Sequence, residues 1–189
     1  MPRVLLRRIP ALDSDLFGRV AHTQTPWLDR VIPPLSRAAN NSRLWLGVAV
    51  PLAAFGGRRG KRGALRGVSS IAATSLLVNQ GAKRVVRRPR PSLRHVPAVR
   101  RLPVQPLTTS FPSGHAASAA AFTAGVGAEL PETIPLVASL AAAVAYSRVY
   151  VGVHYPADVA VGAGIGVGMA FATRRIWPVE PRRGTRVEQ

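Results

Sequence analysis

Three short polar clusters lie at the ends of apolar segments of this sequence and could together handle a phosphoryl group. They are Lys83 with Arg90 and Pro91, the run Pro112-Ser113-Gly114-His115, and Ser147 and Arg148 with His154 and Asp158. Two apolar segments separate the second cluster from the third. If both segments cross a membrane, all three clusters face the same side of it.

The cations and the serine of these clusters predict a phosphate-binding site. Lys83, Arg90 and Arg148 could neutralise a phosphoryl group, and a guanidinium can hold two of its oxygens at once. Ser113 and Gly114 precede a predicted helix, where a hydroxyl and free backbone N–H groups form an anion cradle.

The histidines and the aspartate supply candidate catalytic groups. His154 could attack phosphorus, and Asp158 could fix the tautomer of that imidazole and raise its nucleophilicity. His115 could protonate the leaving alkoxide. The chain has no cysteine, and its His and Asp residues lack metal-ligand spacing. We therefore expect metal-independent chemistry without a cofactor.

Each of these residues has an ordinary alternative explanation when it is taken alone. Cations near Lys83 could anchor a helix end, Ser113 could be a plain N-cap, and Asp158 could favour a helix dipole. Either His115 or His154 could simply lie at an interface. The joint occurrence of all of them, in order, favours the functional interpretation.

The composition favours a membrane protein. Hydrophobic residues make up 47% of the 189 residues and charged residues 18%, against about 25% charged in soluble domains. Five apolar segments follow residue 42: Leu44–Gly57, Gly67–Ala82, Ala116–Leu130, Ile134–Tyr146 and Ala157–Thr173. Each is shorter than the ~20 residues that a typical span needs, but snorkelling arginines can extend it. We predict an all-α integral-membrane bundle of five or six transmembrane helices.

The net charge of +18 suits nucleic acid, anionic lipid or a phosphorylated substrate. The arginines flank apolar segments and form neither one face nor one tail. This placement favours membrane lipids and a lipid phosphate as partners, without nucleic acid, and leaves homo-oligomer formation open.

The chain divides into three predicted regions. Residues 1–42 form an N-terminal interfacial region with amphipathic helices at Asp13–Arg19 and Trp27–Arg37, followed by a capping turn at 40–42. Residues 43–177 form the membrane domain, and 178–189 a basic, disordered tail. Two basic connections are expected, at Arg58–Arg66 and Lys83–Thr109.

The glycines of the last apolar segment form two interleaved pairs at four-residue spacing. The pairs are Gly162 with Gly166 and Gly164 with Gly168. Small residues at this spacing let membrane helices approach closely. We therefore expect neighbouring helices to pack against both pairs.

The three clusters resemble the signature motifs of the PAP2 (phosphatidic acid phosphatase type 2) superfamily, K-x6-R-P, P-S-G-H and S-R-x5-H-x3-D. All eight polar motif positions match: Lys83, Arg90, Ser113, Gly114, His115, Arg148, His154 and Asp158. The N-terminal half also resembles small actinobacterial PAP2 domains. The resemblance implies a membrane phosphatase with a phosphohistidine intermediate on His154, in which His115 and water complete two half-reactions.

The expected substrate is a lipid phosphate or diphosphate, either phosphatidic acid-like or polyprenyl. Two other functions remain open: a vanadate-dependent haloperoxidase of the same superfamily, and a non-catalytic basic protein that binds anionic lipid. The positive-inside rule alone would put the clusters in the cytoplasm. The resemblance instead implies a multi-pass protein of the cell membrane with an extracytoplasmic active site.

Overall fold

The computed structural model describes residues 2–179, with side chains from Pro10 onward. That part of the chain is helical and contains no strand, so the predicted all-α class is confirmed. The helices are α1 (Pro2–His22), α2 (Pro26–Ala38), α3 (Arg43–Phe55), α4 (Gly57–Leu76), α5 (Lys83–Val85), α6 (Gly114–Glu129), α7 (Ile134–Tyr150) and α8 (Pro156–Ile176). The predicted tail lies outside the described residues from position 180 onward.

Helix α6 is the centre of the bundle and packs against α4, α7 and α8. Glycines of α8 let helices α6 and α8 approach closely. A Cβ added to Gly162 would lie 2.4 Å from the Ser113 carbonyl oxygen. One added to Gly166 would lie 2.1 Å from that of Ala117. The prediction for this glycine pair is therefore confirmed.

The second glycine pair, Gly164 and Gly168, does not contribute to helix packing. A Cβ added to either residue would meet nothing within 4 Å. Two residues along a helix correspond to a rotation of about 200°, so this pair faces away from α6. The prediction that both pairs make close approaches was wrong for this one.

The basic stretch Arg58–Arg66 forms the first half of α4 and not a connection, so that prediction was also wrong. A tight turn at Gly56 and Gly57, the latter with φ of +59°, joins α4 directly to α3. Arg66 is fully buried and pairs with Glu129, the last residue of α6, at 2.9 Å. The stretch is helical because its arginines find partners at the end of α6.

The N-terminal region forms two helices, as predicted, and both contact the bundle. Helix α1 packs against α7 and α8, and α2 packs against α7. The buried face of α1 consists of Asp13, Phe17 and Ala21, which recur every four residues. Two apolar residues on such a face are expected, whereas a buried aspartate is not.

The basic segment between α5 and α6 is a loop, as predicted, with short 3₁₀ turns at Leu93–His95 and Ala98–Arg100. Buried Arg100 fixes it to the N-terminal helices, since its Nε donates to Asp29 at 2.5 Å. The Arg100 guanidinium also donates to the carbonyl oxygens of Ala21 and Thr23. The loop is thereby held against the turn between α1 and α2.

Two helical stretches of the described chain are long and apolar enough to cross a membrane, Pro131–Tyr150 and Pro156–Ile176. Only 22% of the residues in the apolar window of the second are buried, so most of an apolar helix faces outward. Helices α3 and α6 have 13 and 16 residues, or about 20 and 24 Å of length. Both fall short of a hydrocarbon core of about 30 Å.

Candidate active site

The turn between α7 and α8 fixes the position of His154. The backbone N–H groups of Val153 and His154 both donate to the carbonyl oxygen of Arg148 at 3.1 Å. Gly152 has φ of +79°, and a Cβ there would lie 2.7 Å from Cδ2 of Leu93. Only glycine fits this position without strain.

Asp158 lies beside His154 and also caps α8. Its Oδ2 accepts from the Tyr155 backbone N–H at 2.9 Å and lies 3.7 Å from Nδ1 of His154. The second distance is in the ion-pair range but too long for a hydrogen bond. The buried Nδ1 of His154 has no hydrogen-bond partner among the described residues. The Asp158 carboxylate therefore both caps α8 and faces His154.

The surroundings of His154 keep its imidazole uncharged. Burial lowers the pKa of His154 to about 4, and the charges of Arg90 and Arg148 act in the same direction. The carboxylate of Asp158 opposes them and raises the pKa. A neutral imidazole is the nucleophilic form of histidine.

The second cluster is attached directly to the third. Ser113 is the N-cap of α6, where its Oγ accepts from the Ala116 N–H at 3.4 Å. The Ser113 N–H donates to the backbone oxygen of Asp158 at 2.9 Å. A Cβ added to Gly114 would lie 3.8 Å from Nζ of Lys83. The start of α6 therefore lies between Asp158 and a cation.

Arg148 is buried, and a serine of α2 holds it. Its Nη1 donates to Oγ of Ser36 at 2.6 Å, whereas its Nε has no partner among the described residues. Burial lowers the pKa of Lys83, and the charges of Arg90 and Arg148 lower it further. These cations are close enough to repel one another, so a bound anion would relieve the repulsion.

Arg90 differs from the other two cations because backbone carbonyls occupy most of its donors. It donates to the oxygens of Thr108 at 2.9 Å, Thr109 at 3.2 Å and Val153 at 2.6 Å. A fourth bond goes to the Thr108 hydroxyl at 3.2 Å. One of the five guanidinium N–H groups is left for an anion. In this state Arg90 chiefly ties the basic loop to the residue before His154.

His115 contacts the turn between α2 and α3, where its Nε2 lies 2.9 Å from Oδ1 of Asn40. We interpreted residues 40–42 as a capping turn, but Ser42 makes no side-chain cap of α3. Asn41 and Ser42 instead have positive φ angles, which leaves Asn40 directed at the imidazole.

A cavity of about 200 Å³ opens beside His115, Lys83 and Gly114. Its other walls are mostly polar and include Asn41, Ser42, Ser75, Asn79 and Ser118. The π-helical stretch Leu77–Ala82 between α4 and α5 supplies Asn79, and such stretches are frequent at functional sites.

The eight predicted site residues come together at this end of the bundle. Four further residues that the sequence did not indicate lie beside them: Ser36, Asn40 and Arg88 contact site residues directly, and Asp13 contacts Arg88. Ser36 and Asn40 belong to the N-terminal region, which we interpreted as interfacial. Arg88 stands in the six-residue spacer between Lys83 and Arg90, and its only signal was its position among several other cations.

The sequence model of the PAP2 superfamily matches residues 64–182, which include every one of the eight positions. The chain belongs to the PAP2 superfamily. The motif resemblance is therefore confirmed at the level of the family.

Relatives of this PAP2 chain include the decaprenylphosphoryl-5-phosphoribose phosphatase of Mycobacterium tuberculosis, in both strains CDC 1551 and H37Rv. Each is 40% identical to it over 124 residues, which is 65% of this chain and 65% of the relative. The match thus spans just under two thirds of the length of these relatives.

Two solved structures of PAP2-type proteins share the fold. A transmembrane PAP2 type phosphatidylglycerolphosphate phosphatase from Bacillus subtilis has a TM-score of 0.68 at 25% identity, covering 89% of this chain and 86% of that one. LpxE of Aquifex aeolicus has a TM-score of 0.65 at 26% identity, covering 85% and 93%. Together with the two apolar helices, these neighbours indicate a membrane protein.

Proposed function

We propose that this protein is a metal-independent phosphatase that removes a phosphate from a lipid phosphate through a phosphohistidine intermediate. One observation carries the proposal: the neutral, buried imidazole of His154 lies near Arg90 and Arg148, whose charges also act on Lys83, and Nε of Arg148 has no partner among the described residues. Cations that repel one another around a nucleophile are suited to a phosphoryl group, whose transition state is stabilised mainly by charge.

In the first half-reaction, Nε2 of His154 attacks phosphorus, because its Nδ1 faces Asp158. The bond from phosphorus to the alkoxide breaks, and His115, which is protonated once the phosphate anion is bound beside it, donates a proton to that oxygen. Asp158 stabilises the positive charge that develops on the imidazole. Lys83, Arg148, the remaining N–H of Arg90, the Ser113 hydroxyl and the Gly114 N–H bind the phosphoryl oxygens.

In the second half-reaction, water attacks the phosphorus of phosphohistidine while His115 takes one of its protons. The N–P bond breaks, inorganic phosphate leaves, and the His154 imidazole is regenerated. Asn40 Oδ1 accepts a hydrogen bond from His115 when Nε2 carries the proton. No metal is required in either step.

The cavity beside His115 supports a substrate whose phosphate is carried by a hydroxylated group. Five polar side chains line it, and its volume of about 200 Å³ is below that of a typical ligand pocket of 300–1,000 Å³. It suits the head of a substrate and not its chain. The M. tuberculosis relatives act on a phosphoribose carried by decaprenyl phosphate, which has this chemistry. We therefore propose a polyprenyl-linked sugar phosphate ahead of phosphatidic acid.

The chain crosses the membrane several times in this proposal, with five or six spans and the active site on the extracytoplasmic side. Large apolar side chains are exposed on several helices of the bundle, among them Leu46, Val50, Leu136, Val161 and Phe171. Lipid tails would cover them. Homo-oligomer formation would cover a part of the same surface, and light scattering in detergent measures it.

Release of inorganic phosphate by detergent-purified protein tests the function. The panel contains a polyprenyl-phosphate-linked pentose phosphate, a polyprenyl diphosphate, phosphatidic acid and phosphatidylglycerol phosphate, each assayed with EDTA. We expect release that EDTA does not reduce, fastest for the sugar phosphate. It should be absent in His154→Ala and retained in His95→Ala, which changes an exposed histidine of the basic loop.

Other results would contradict parts of this proposal. Release that EDTA abolishes would overturn the metal-independent mechanism. Equal release by His154→Ala would remove the phosphohistidine intermediate. No release from any substrate by folded protein would leave a haloperoxidase or a binding protein as the next candidate. Faster release from phosphatidic acid would overturn only the choice of substrate.

A further inference from the structure

The buried aspartate of α1 has specific partners at the active site. Asp13 is 4% exposed, and its Oδ1 accepts from the Ala157 backbone N–H at 2.8 Å. Its Oδ2 accepts from Nη2 of Arg88 at 2.6 Å. An N-terminal helix that only lay on the membrane surface would not contain a buried aspartate, since burying a charge is costly unless it is paired.

Arg88 bridges Asp13 to the carboxylate beside the nucleophile. Its Nη1 donates to Oδ1 of Asp158 at 2.8 Å, and its guanidinium lies 4.2 Å from the ring centroid of Tyr155. Phe17, on the buried face of α1, contacts the same tyrosine ring edge-on at 5.6 Å. Helix α1 therefore holds the segment from His154 to Asp158 through both a charged and an aromatic contact.

The charges of Asp13, Arg88 and Asp158 together determine how strongly Asp158 stabilises a positive charge on His154. A guanidinium paired with Asp158 alone would neutralise that carboxylate and weaken its effect on the imidazole. The second carboxylate, Asp13, returns the sum over the three side chains to one negative charge. That charge lies next to a histidine which becomes positive when it bonds to phosphorus.

We propose that Asp13 and Arg88 are positioning residues for the phosphatase reaction. Arg88 holds the Asp158 carboxylate in place beside His154, and Asp13 offsets the charge of Arg88 so that Asp158 still stabilises the imidazolium. Helix α1 thus contributes a positioning residue to the active site. This inference rests on the proposed function, and neither residue belongs to the signature motifs.

The first test is the kinetics of Asp13→Asn, which keeps the size of the side chain and removes its charge. At metal sites, removing the hydrogen-bonded partner of a ligating histidine or carboxylate typically costs 10- to 100-fold in affinity or activity, and Asp13 supports Asp158 in a comparable way through Arg88. We therefore expect kcat to fall about 10-fold or more with KM within about twofold of wild type. The matched control is Asp15→Asn on the exposed side of α1, which should keep the wild-type kcat.

The second test is a rescue. Arg88→Gln added to Asp13→Asn removes the neutralising cation, so Asp158 regains its full charge. Because Asp158 regains its charge but loses the bond that holds it, we expect the double variant to have a kcat at least about threefold above that of Asp13→Asn and still below that of wild type. Residues that only held the fold together would give a double variant worse than either single one. Arg87→Gln, which removes the neighbouring exposed cation, should not rescue.

Several results would overturn the proposal. These are an unchanged kcat in Asp13→Asn, a loss that appears only in KM, or a double variant no better than Asp13→Asn. A rise in KM for Arg88→Gln alone would make Arg88 a direct phosphate ligand instead. An absence of phosphatase activity in the wild-type protein would contradict the proposed function and not the contacts among Asp13, Arg88 and Asp158.

Hydrogen exchange provides a readout that does not need activity. Asp13→Asn and Arg88→Gln should raise amide exchange in the peptide that covers residues 153–158, while Asp15→Asn should not. The peptide from the centre of α6 should exchange as in wild type in all variants. Unchanged exchange at 153–158 in both variants would overturn the inference even for an inactive or poorly stable protein.

Discussion

At the scale of single residues, the site combines groups that would be unstable alone. Three cations lie close to two imidazoles, and His154 is almost completely buried. Only one acid of the signature motifs, Asp158, offsets these charges. The arrangement favours an anion in the site over an empty site, and it keeps the attacking nitrogen of His154 unprotonated.

The pH dependence of turnover should report the state of His154. Because the neutral imidazole attacks and burial lowers the pKa of His154 to about 4, the acid limb of the kcat/KM profile should lie near pH 4. A histidine of ordinary pKa would lose activity near 6.5. The measurement is a profile of kcat/KM from pH 3.5 to 7.5, corrected for the ionisation of the substrate phosphate.

The control for this profile is recovery of activity at pH 7 after exposure to acid, which separates titration from unfolding. A corrected inflection that remains near 6.5 would contradict the expectation. It would mean that the site solvates His154 more than its burial indicates.

Gly152 is the residue on which the orientation of His154 depends most directly. Gly152→Ala would place a Cβ against Leu93 in a backbone conformation with positive φ, at a cost of about 1–3 kcal/mol. We expect a lower melting temperature together with a lower kcat, since the turn carries His154. Gly18→Ala, at an open position of α1, should leave kcat unchanged and keep or slightly raise the melting temperature, and equal effects of the two would refute the argument.

At the scale of elements, one end of the bundle is assembled from three helix ends and a loop. The N-terminus of α6, the N-terminus of α8 and the C-terminus of α7 converge there, and the bond from Ser113 to Asp158 joins two of them. The glycine face of α8 makes this convergence possible, because α8 contacts the backbone of α6 without intervening side chains.

The two glycine pairs of α8 provide a direct test of that packing. Gly166→Ala would bring a Cβ to 2.1 Å from a backbone oxygen of α6, so the helices must separate at a cost of about 1–3 kcal/mol. Gly168→Ala points away from α6 and should keep or slightly raise the melting temperature. Thermal melting in the same detergent measures both, and equal melting temperatures would contradict the observed contact.

The sequence alone predicted the elements better than their contacts. Helices were predictable from their apolar segments, and the motif residues from their types and spacing. The partners Asp13, Ser36 and Asn40 were not, because each meets the site across more than 70 residues of chain. Their residue types are ordinary for an amphipathic helix or a turn. The helical form of Arg58–Arg66 was missed for a related reason, since its stabilising partner, Glu129, is also distant in sequence.

At the scale of the whole molecule, one end of the bundle contains the candidate active site and the other contains a buried ion-pair cluster. His115 and Glu129 lie at opposite ends of α6, about 21 Å apart along its axis. At the far end, Arg62 and Arg66 pair with Glu129, and both contact Trp177 and the backbone oxygen of Pro178. This cluster ties the end of α8 to α4 and α6.

Glu129→Gln should separate stability from catalysis. It removes one partner of a buried ion pair, which typically costs about 3–5 kcal/mol, so we expect a melting temperature on the order of 10 °C lower. The kcat per folded molecule should stay near wild type because the site is distant. Glu132→Gln, at a half-exposed pair with Arg59, is the control. A loss of kcat in folded Glu129→Gln would show that the two ends are coupled.

The π-helical turn Leu77–Ala82 bears on how relatives of this chain should be compared. Such a turn holds one residue more than regular α-helix over the same stretch, and each residue of a helix corresponds to about 100° of rotation. A homologue that lacks one residue here would still contain all eight motif positions. With this stretch closed to regular α-helix, its lysine at position 83 would still point toward the start of α6. A single-residue gap in this turn is therefore compatible with an intact site, and alignments of relatives should place such a gap here and not within α4 or α5.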